Sequence, residues 1–451
     1  LYHSLTYLLF LVIAGGIFRL LKGEGRRLYL GAVSLIFIGW LDVTALAVTL
    51  ALTVITYLLS LWVKPGRLIP LLVGILAPVG TLVLFKYLGF LSGIISGLLE
   101  LLSGKAGLFG IGRIAVPLGL SYLVFKYISY LIDIYWGLIR RCSFLDLLCY
   151  GSLFSTFVAG PMERFEHFQP QLHAPALRPL KADLVPAFQR IAFGLFKKLV
   201  LADWLAYLVT PVWDAPASFS PFVRALALFG YSLRIYFDFA GYSDIAIGAS
   251  RWLGFEIGEN FADPYSAVNI GQFWRRWHIS LSDWIRDYLF FPLSRLSQAK
   301  LWLGFGVPLT AMAICGLWHG AGWNFVLWGI WHGLGISVYQ AWAKGRKKRK
   351  GRGKSPAKPL RVYLATSANF LFVSLGWVFF VGSGAELLRG MLSPLVLLFS
   401  LLVAPLIIGL HKLVGERVLT RIAPGVLAFY ALLLTILLYC GMNTGFIYAK
   451  F

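Results

Sequence analysis

Ionisable side chains inside apolar sequence are costly to place, so each is a functional candidate until a structural use accounts for it. Three stretches of this 451-residue chain hold most of them. The first, Cys315–Gly333 (CGLWHGAGWNFVLWGIWHG), repeats a short unit: Gly316-Leu-Trp-His319-Gly320 and Gly329-Ile-Trp-His332-Gly333. A neutral imidazole, with an ordinary pKa near 6.5, takes a proton from a hydroxyl and returns it to a leaving group. A buried histidine that merely hydrogen-bonds helices together explains the residue equally well. The two histidines are 13 residues apart, about 3.6 helical turns. On one continuous helix they face nearly opposite directions and cannot share a metal. No HExxH or other i, i+4 histidine pair is present, so no metal site is expected. Glycines on both sides of His319 (Gly316, Gly320, Gly322) predict a tight helix crossing or a break. Cys315 precedes His319 by four residues; an inert core cysteine accounts for it as readily as a thiol–imidazole pair.

The second stretch, Tyr236–Gly248 (YFDFAGYSDIAIG), places Asp238 and Asp244 in an otherwise apolar span. At i, i+6 they lie on opposite helix faces and are not a catalytic carboxylate pair. Each is expected to meet a cation or to cap a break near Gly241, with Arg234, Arg251 and the pair Arg275–Arg276 as candidate partners. Gly241-Tyr-Ser243-Asp244-Ile245 is the nearest approach to a nucleophile elbow, and it lacks the second glycine.

The third stretch, residues 260–300, mixes Arg, Asp, His, Asn and Gln among Trp, Tyr and Phe. Phe273, Trp277, Leu281, Trp284 and Tyr288 recur at helical spacing and form one aromatic stripe, with Arg275, Ser282 and Arg286 on other faces. Such a helix lies at a membrane interface rather than crossing. An interfacial anchor, however, does not need His278 and Asp283 within two turns, with Arg275, Arg276, Arg286 and Asp287 beside them.

The elements that must position these residues belong to a membrane protein. Hydrophobic residues make up 59% of the chain and charged residues only 13%, and mean hydropathy is +0.77. Soluble domains carry roughly 25% charged residues. That shortfall excludes a cytosolic enzyme, a disordered chain and a disulfide scaffold. The net charge of +22 comes from cations clustered in breaks between apolar runs, the pattern of the positive-inside rule rather than of nucleic-acid binding. Cys142, Cys149, Cys315 and Cys440 form no CxxC pair. Spans are predicted near 5–21, 28–41, 43–63, 68–90, 114–137, 144–160, 186–210, 222–248, 301–318, 322–342, 362–382, 391–411 and 423–441, an upper count in which 28–41 and 144–160 are candidates for re-entrant or tilted segments. The segment 5–21 reads as a first span and not a signal peptide. Arg19, Lys22, Arg26 and Arg27, and the tract from Lys344 to Arg361, mark cytoplasmic sides; the tract also suits anionic lipid or an acidic partner. The fold class is all-α and polytopic, because only helices or closed barrels satisfy the backbone in lipid.

The run ENFADPYSAVNIGQFWRRWHISLSDWIRDYLFFPL, followed by GLWHGAGWNFVLWGIWHG, resembles the membrane-bound O-acyltransferase (MBOAT) family. The likeness is strongest to its bacterial branch of alginate O-acetylation, peptidoglycan O-acetylation and D-alanyl teichoic acid transfer. VPLGLSYLVFKYISYLIDIYWG (116–137), FVAGPMERFEHFQPQL (157–172), YFDFAGYSDIAIGASRWLGF (236–255) and the terminal FIYAKF (446–451) support it. The C-terminus departs from the expected aromatic-Gln ending, and the 344–361 tract is longer than usual.

The resemblance implies a ring of about eleven transmembrane helices, with re-entrant or interfacial helices, around a central tunnel. It implies one multi-pass domain over 1–451: N-terminal spans in 1–115, a core with the motifs in 116–342, a basic cytoplasmic loop in 343–361 and C-terminal spans in 362–451. His319 matches the family's catalytic histidine and His278 its second, motif-bound histidine. The implied reaction moves an acetyl group from cytoplasmic acetyl-CoA, with no permanently bound cofactor, to hydroxyls of an extracytoplasmic polysaccharide through an SGNH-type partner, in the bacterial cell (inner) membrane. On this reading His319 is the general base, and Trp318, Trp323 and Asn324 shape and dry the pocket. His278 orients the thioester or its arm, with Trp277 beside it and Arg275 or Arg276 near the pantetheine or phosphates. Partners are membrane lipids and an acyl-CoA or acyl-carrier thioester, and no nucleic acid. D-alanyl transfer from a carrier protein to teichoic acid is the alternative within the class. A polysaccharide export channel is the alternative outside it, although no inverted repeat is visible.

Overall fold

The computed structural model describes residues 2–104, 112, 114–175, 180–296, 298–349 and 359–381; the expected spans 391–411 and 423–441, FIYAKF and most of the basic tract lie outside them. Among the described residues all regular structure is helical. Two compact units divide the chain, Leu1–Phe188 with Ala246–Gly258, and Gln189–Ile245 with Glu259–Phe451.

The first unit begins with α1 (Leu5–Leu20), α2 (Gly23–Leu41) and α3 (Val43–Ser60). A continuous helical run follows, Leu68–Ser103, in which the π-helical turn Val83–Tyr87 joins α4 (Leu68–Leu82) to α5 (Leu88–Ser103). Then come α6 (Leu120–Trp136), α7 (Phe144–Ser152) and α8 (Phe165–Leu172). Local sequence sets several starts: Ser4, Asp42 and Ser143 each accept the amide hydrogen of the residue three further on, at 3.2, 3.1 and 3.2 Å, satisfying donors that a helix start leaves open. The expected span 144–160 is helical only to Ser152; beyond it Leu153–Pro161 is buried non-helical chain. Such backbone is tolerated at depth only where protein satisfies it. Here the Tyr2 hydroxyl donates to the Phe154 carbonyl (2.7 Å), the Phe154 amide donates to Ser34 Oγ (3.4 Å) and Ser155 Oγ bonds Ser250 Oγ (2.8 Å).

The second unit takes the end of α9 (Leu180–Leu195), the π-helical turn Phe196–Ala202, α10 (Asp203–Asp214) and α11 (Pro221–Trp252) as far as Ile245. It continues with α12 (Ile270–Trp274), α13 (Ile279–Ile285), a π turn Arg286–Phe290 and α14 (Phe291–Arg295). After a further π turn (Trp302–Gly306) come α15 (Val307–His319), α16 (Trp323–Arg349), α17 (Pro359–Gly376) and α18 (Val378–Val381). Among the described residues, four helical runs are long and apolar enough to cross a membrane: Val43–Ser60, Leu68–Ser103, Trp302–His319 and Pro359–Phe380. With the apolar α1 they make this a multi-pass membrane protein.

One local structure differs from a straight reading of the sequence. The aromatic stripe of 273–288 does not lie on one helix: α12 ends at Trp274 and α13 starts at Ile279, because His278 takes a left-handed conformation (φ 44°, ψ 56°). The stripe residues Phe273, Trp277, Leu281, Trp284 and Tyr288 are nonetheless all buried, so the pattern reported which residues face inward without reporting the break. The segment 307–349 is two helices, as the separate spans predicted near 301–318 and 322–342 require. α15 stops at His319, Gly320 is extended (φ −164°), and α16 begins at Trp323. The two pack with backbone in contact. A Cβ added at Gly316 would strike the Phe325 carbonyl, one at Gly329 the Met312 carbonyl, and one at Gly333 would lie 3.0 Å from Leu309 Cα. The glycines thus serve both the crossing and the break that their spacing predicts.

Candidate active site

His319 is the last residue of α15 and is 3% exposed. Its imidazole is enclosed by aromatic rings: Trp318 at 4.9 Å between centroids, Trp328 at 5.0 Å and Phe380 at 5.5 Å, all edge-on. The hairpin brings Trp328 back from α16 onto the end of α15. On its other side Trp328 meets His332 at 4.8 Å, so the two histidines of the repeated unit share one indole. They do not point apart as they would on an unbroken helix. His332 is fully buried among Phe273, Trp274, Phe372 and Trp377, and the Gly376 backbone approaches so closely that a Cβ there would sit 2.9 Å from Nε2. Among the described residues no three His, Cys, Asp or Glu side chains converge as metal ligands.

His278 is also fully buried, between Phe239 at 4.6 Å and Trp318 at 6.1 Å. Trp318 therefore stands between the two motif histidines. Burial holds the His278 imidazole well below its ordinary pKa and keeps it neutral. Its Nδ1 lies 3.1 Å from Asn260 Oδ1. Residues 278–280 are tied to Asn260 by three further bonds: the Ile279 amide donates to the Asn260 carbonyl (2.9 Å), and the Ser280 amide (3.3 Å) and Ser280 Oγ (2.9 Å) donate to Oδ1. A left-handed non-glycine residue costs roughly 1–2 kcal/mol, and these bonds offset it by satisfying the first amides of α13, for which His278 supplies no side-chain cap.

The other expected residues divide. Trp277 is buried against Phe261, Phe273 and Trp377, at 5.1, 5.5 and 5.1 Å. Asn324 Nδ2 donates to the Phe379 carbonyl at 3.0 Å, tying α16 to α18 beside Phe380. Trp323 is 61% exposed. Arg275 is exposed, and Arg276 folds back onto Ser266 Oγ at 2.8 Å. A cavity of about 180 Å³ is lined by Trp274, Ser282, Arg286, Ala311, Met312 and Ile336, among others. Met312 is seven residues before His319, on the same face of α15. Trp274 forms the opposite wall and touches Trp328 at 5.8 Å. Along this path the cavity is linked to His319 through two indoles, Trp274 and Trp328.

The buried carboxylates of α11 find cations, but not the expected ones. Asp244 is held by Lys197 Nζ (2.7 Å) and Arg190 Nε (2.6 Å), and Asp238 by Lys198 Nζ (2.9 Å), which also grips Asp203 (2.7 Å). Arg234 instead reaches Thr210, and Arg251 reaches Asp183. Lys197 and Lys198 lie on the π turn Phe196–Ala202, whose wider winding lets two consecutive residues serve one neighbouring helix. Between the pairs the helices touch: a Cβ on Gly241 would fall 2.7 Å from the Gly194 carbonyl oxygen. These carboxylates lock a helix crossing. Trp328 and Asn260, which touch the two motif histidines, were not singled out by sequence. Both sit inside recognisable motif runs, yet neither residue type at its position signals a partner 9 or 18 residues away.

The sequence matches the model of the membrane-bound O-acyltransferase family over residues 28–355. A probable alginate O-acetylase of Azotobacter vinelandii is 33% identical over 382 residues, covering 82% of this chain and 73% of its own length. A peptidoglycan O-acetyltransferase of Helicobacter pylori is 30% identical over 403 residues, 81% of this chain and 74% of its own. A teichoic acid D-alanyltransferase of Bacillus subtilis is 31% identical over 278 residues, 59% of this chain and 68% of its own.

Proposed function

The chain belongs to the membrane-bound O-acyltransferase family, and from that premise we propose that it moves an acetyl group from cytoplasmic acetyl-CoA to hydroxyls of an extracytoplasmic polysaccharide. It is an acyltransferase, and the reaction class fixes what must happen. The acceptor hydroxyl loses its proton as its oxygen attacks the thioester carbonyl, the C–S bond breaks, and the departing sulfur takes a proton. His319 serves both steps, accepting the hydroxyl proton and returning it to the thiolate. The observation that carries this assignment is the enclosure of the His319 ring by Trp318, Trp328 and Phe380. Aromatic walls exclude the water that would otherwise hydrolyse the thioester, and they strengthen every hydrogen bond within. Access requires at least one of those rings to move. The cavity beside Trp274 and Met312 is apolar, a surface suited to the donor's arm. His278 holds a substrate group on the far side of Trp318.

The acetyl donor is favoured by the likeness to alginate and peptidoglycan O-acetylating proteins, and an SGNH-type acetyltransferase would then place the group on the polymer. The cytoplasmic membrane is the setting in which a cytoplasmic thioester and an external acceptor are on opposite sides. D-alanyl transfer is a second reading, favoured by the likeness to teichoic acid D-alanyltransferases. Purified protein in lipid nanodiscs, given labelled acetyl-CoA or a D-alanyl carrier-protein thioester, decides between them. Consumption of acetyl-CoA above solvent hydrolysis is the expected result. Consumption of the carrier thioester alone would replace the first reading by the second, and consumption of neither would sink both.

A further inference from the structure

The hydrogen bonds around Asn260 determine which nitrogen of His278 carries the proton. Asn260 is fully buried, and its side-chain oxygen and nitrogen can be told apart by their partners. The Ser280 amide, which can only donate, points at Oδ1 (3.3 Å); Ser280 Oγ also donates to Oδ1 (2.9 Å), and Nδ2 donates to Ser243 Oγ (3.1 Å). The atom 3.1 Å from His278 Nδ1 is therefore an oxygen, a pure acceptor. The neutral ring must meet it with an N–H, so the hydrogen is on Nδ1 and the lone pair is on Nε2.

We propose that Asn260 is a positioning residue of the acyl-transfer site, acting through His278: with Ser243 behind it, it fixes the Nδ1–H tautomer and so makes His278 Nε2 a hydrogen-bond acceptor. The inference rests on the reading of His278 as a substrate-binding group and makes that reading specific. A nitrogen with a lone pair does not bind the thioester carbonyl oxygen. It binds a hydrogen-bond donor, an N–H or O–H of a substrate, such as an amide in the donor's arm or the acceptor hydroxyl. The left-handed backbone of His278 (φ 44°) belongs to the same arrangement. It is held by the bond from the Ile279 amide to the Asn260 backbone carbonyl and by the bonds from Ser280 to Oδ1, so one residue, through its backbone and its side chain, sets the ring's place and its proton together. Strained backbone of this kind persists only where surroundings over-determine it.

The test is nitrogen NMR on protein labelled with 15N-histidine in lipid bilayers at neutral pH, with His278 assigned by subtraction using H278Q. Wild type is expected to show a protonated Nδ1 and an unprotonated Nε2 at this residue. N260L removes the acceptor and should release the tautomer, with turnover falling roughly 10- to 100-fold, the usual range for outer-shell partners. N260D keeps an acceptor at the same place and should restore both the Nδ1–H signal and most of the turnover. The KM that rises in N260L, for thioester or for acceptor, identifies which substrate supplies the donated hydrogen. A wild-type His278 protonated on Nε2 would overturn the proposal. So would loss of turnover in N260L with the Nδ1–H signal intact, or release of the tautomer with turnover unchanged. Failure of the acyltransfer reading itself is separable: in that case no thioester would be consumed by any variant, whatever the tautomer.

Discussion

Gly329→Ala is the smallest change that should separate His319 from Trp328. Gly329 follows Trp328 on α16, and its α-carbon faces the Met312 carbonyl of α15 with no room for a methyl group. The added carbon falls well inside the 3.4 Å of ordinary contact, so the hairpin must open by about 1 Å, a misplacement that can cost about 10²-fold in rate. Trp328 moves with α16 while His319 stays at the end of α15, so the 5.0 Å ring contact is the one stretched. Overpacking of this kind typically costs 1–3 kcal/mol, which leaves the fold standing. Thioester consumption in nanodiscs, measured beside thermal unfolding, is the assay, and kcat should fall about 10²-fold while the transition remains cooperative. Gly345→Ala is the control: it lies on the same helix, and nothing comes within 4 Å of its added carbon. Wild-type kcat in G329A, or an equal loss in G345A, would refute the argument that close backbone packing positions the base.

Other consequences follow from the buried charges and the cavity. Lys198→Met leaves Asp203 and Asp238 buried without their shared ammonium, and breaking such a pair costs about 3–5 kcal/mol; the triple variant K198M/D203N/D238N should recover most of the lost unfolding temperature, and no recovery would mean the charges are not coupled. Ile336→Trp fills the 180 Å³ cavity from α16, and should raise KM for the thioester with little change in thermal unfolding; an unchanged KM would remove the cavity from the donor's path.

The parts of this molecule that could be read from sequence are those in which a residue acts through its own chemistry or its own helix. Long apolar runs announced the membrane, and α1, α3 and the Trp302–His319 run appear close to where hydropathy puts them. The glycines about His319 announced a crossing. What spacing could not supply was the direction in which the chain leaves a glycine. Thirteen residues of continuous helix put His319 and His332 back to back, whereas the turn after Gly320 folds them onto one indole. The partners of Asp238 and Asp244 were missed for a similar reason. Several arginines offered themselves nearby in sequence, while Lys197 and Lys198 reach the carboxylates only because a π turn presents both to the same helix. Asn260 has no periodic or compositional signal at all. Its meaning lies in the backbone of residues 278–280, where a left-handed histidine needs an external hydrogen-bonding partner.

His319 is proposed as the base of acyl transfer in an aromatic enclosure. The most direct measurement of that role is thioester turnover by His319→Ala in nanodiscs, with the unfolding transition recorded on the same sample. A fall of about 10²–10⁴-fold in kcat with the transition preserved is expected; turnover near that of the wild type, in protein shown to be folded, would remove His319 from the role of base.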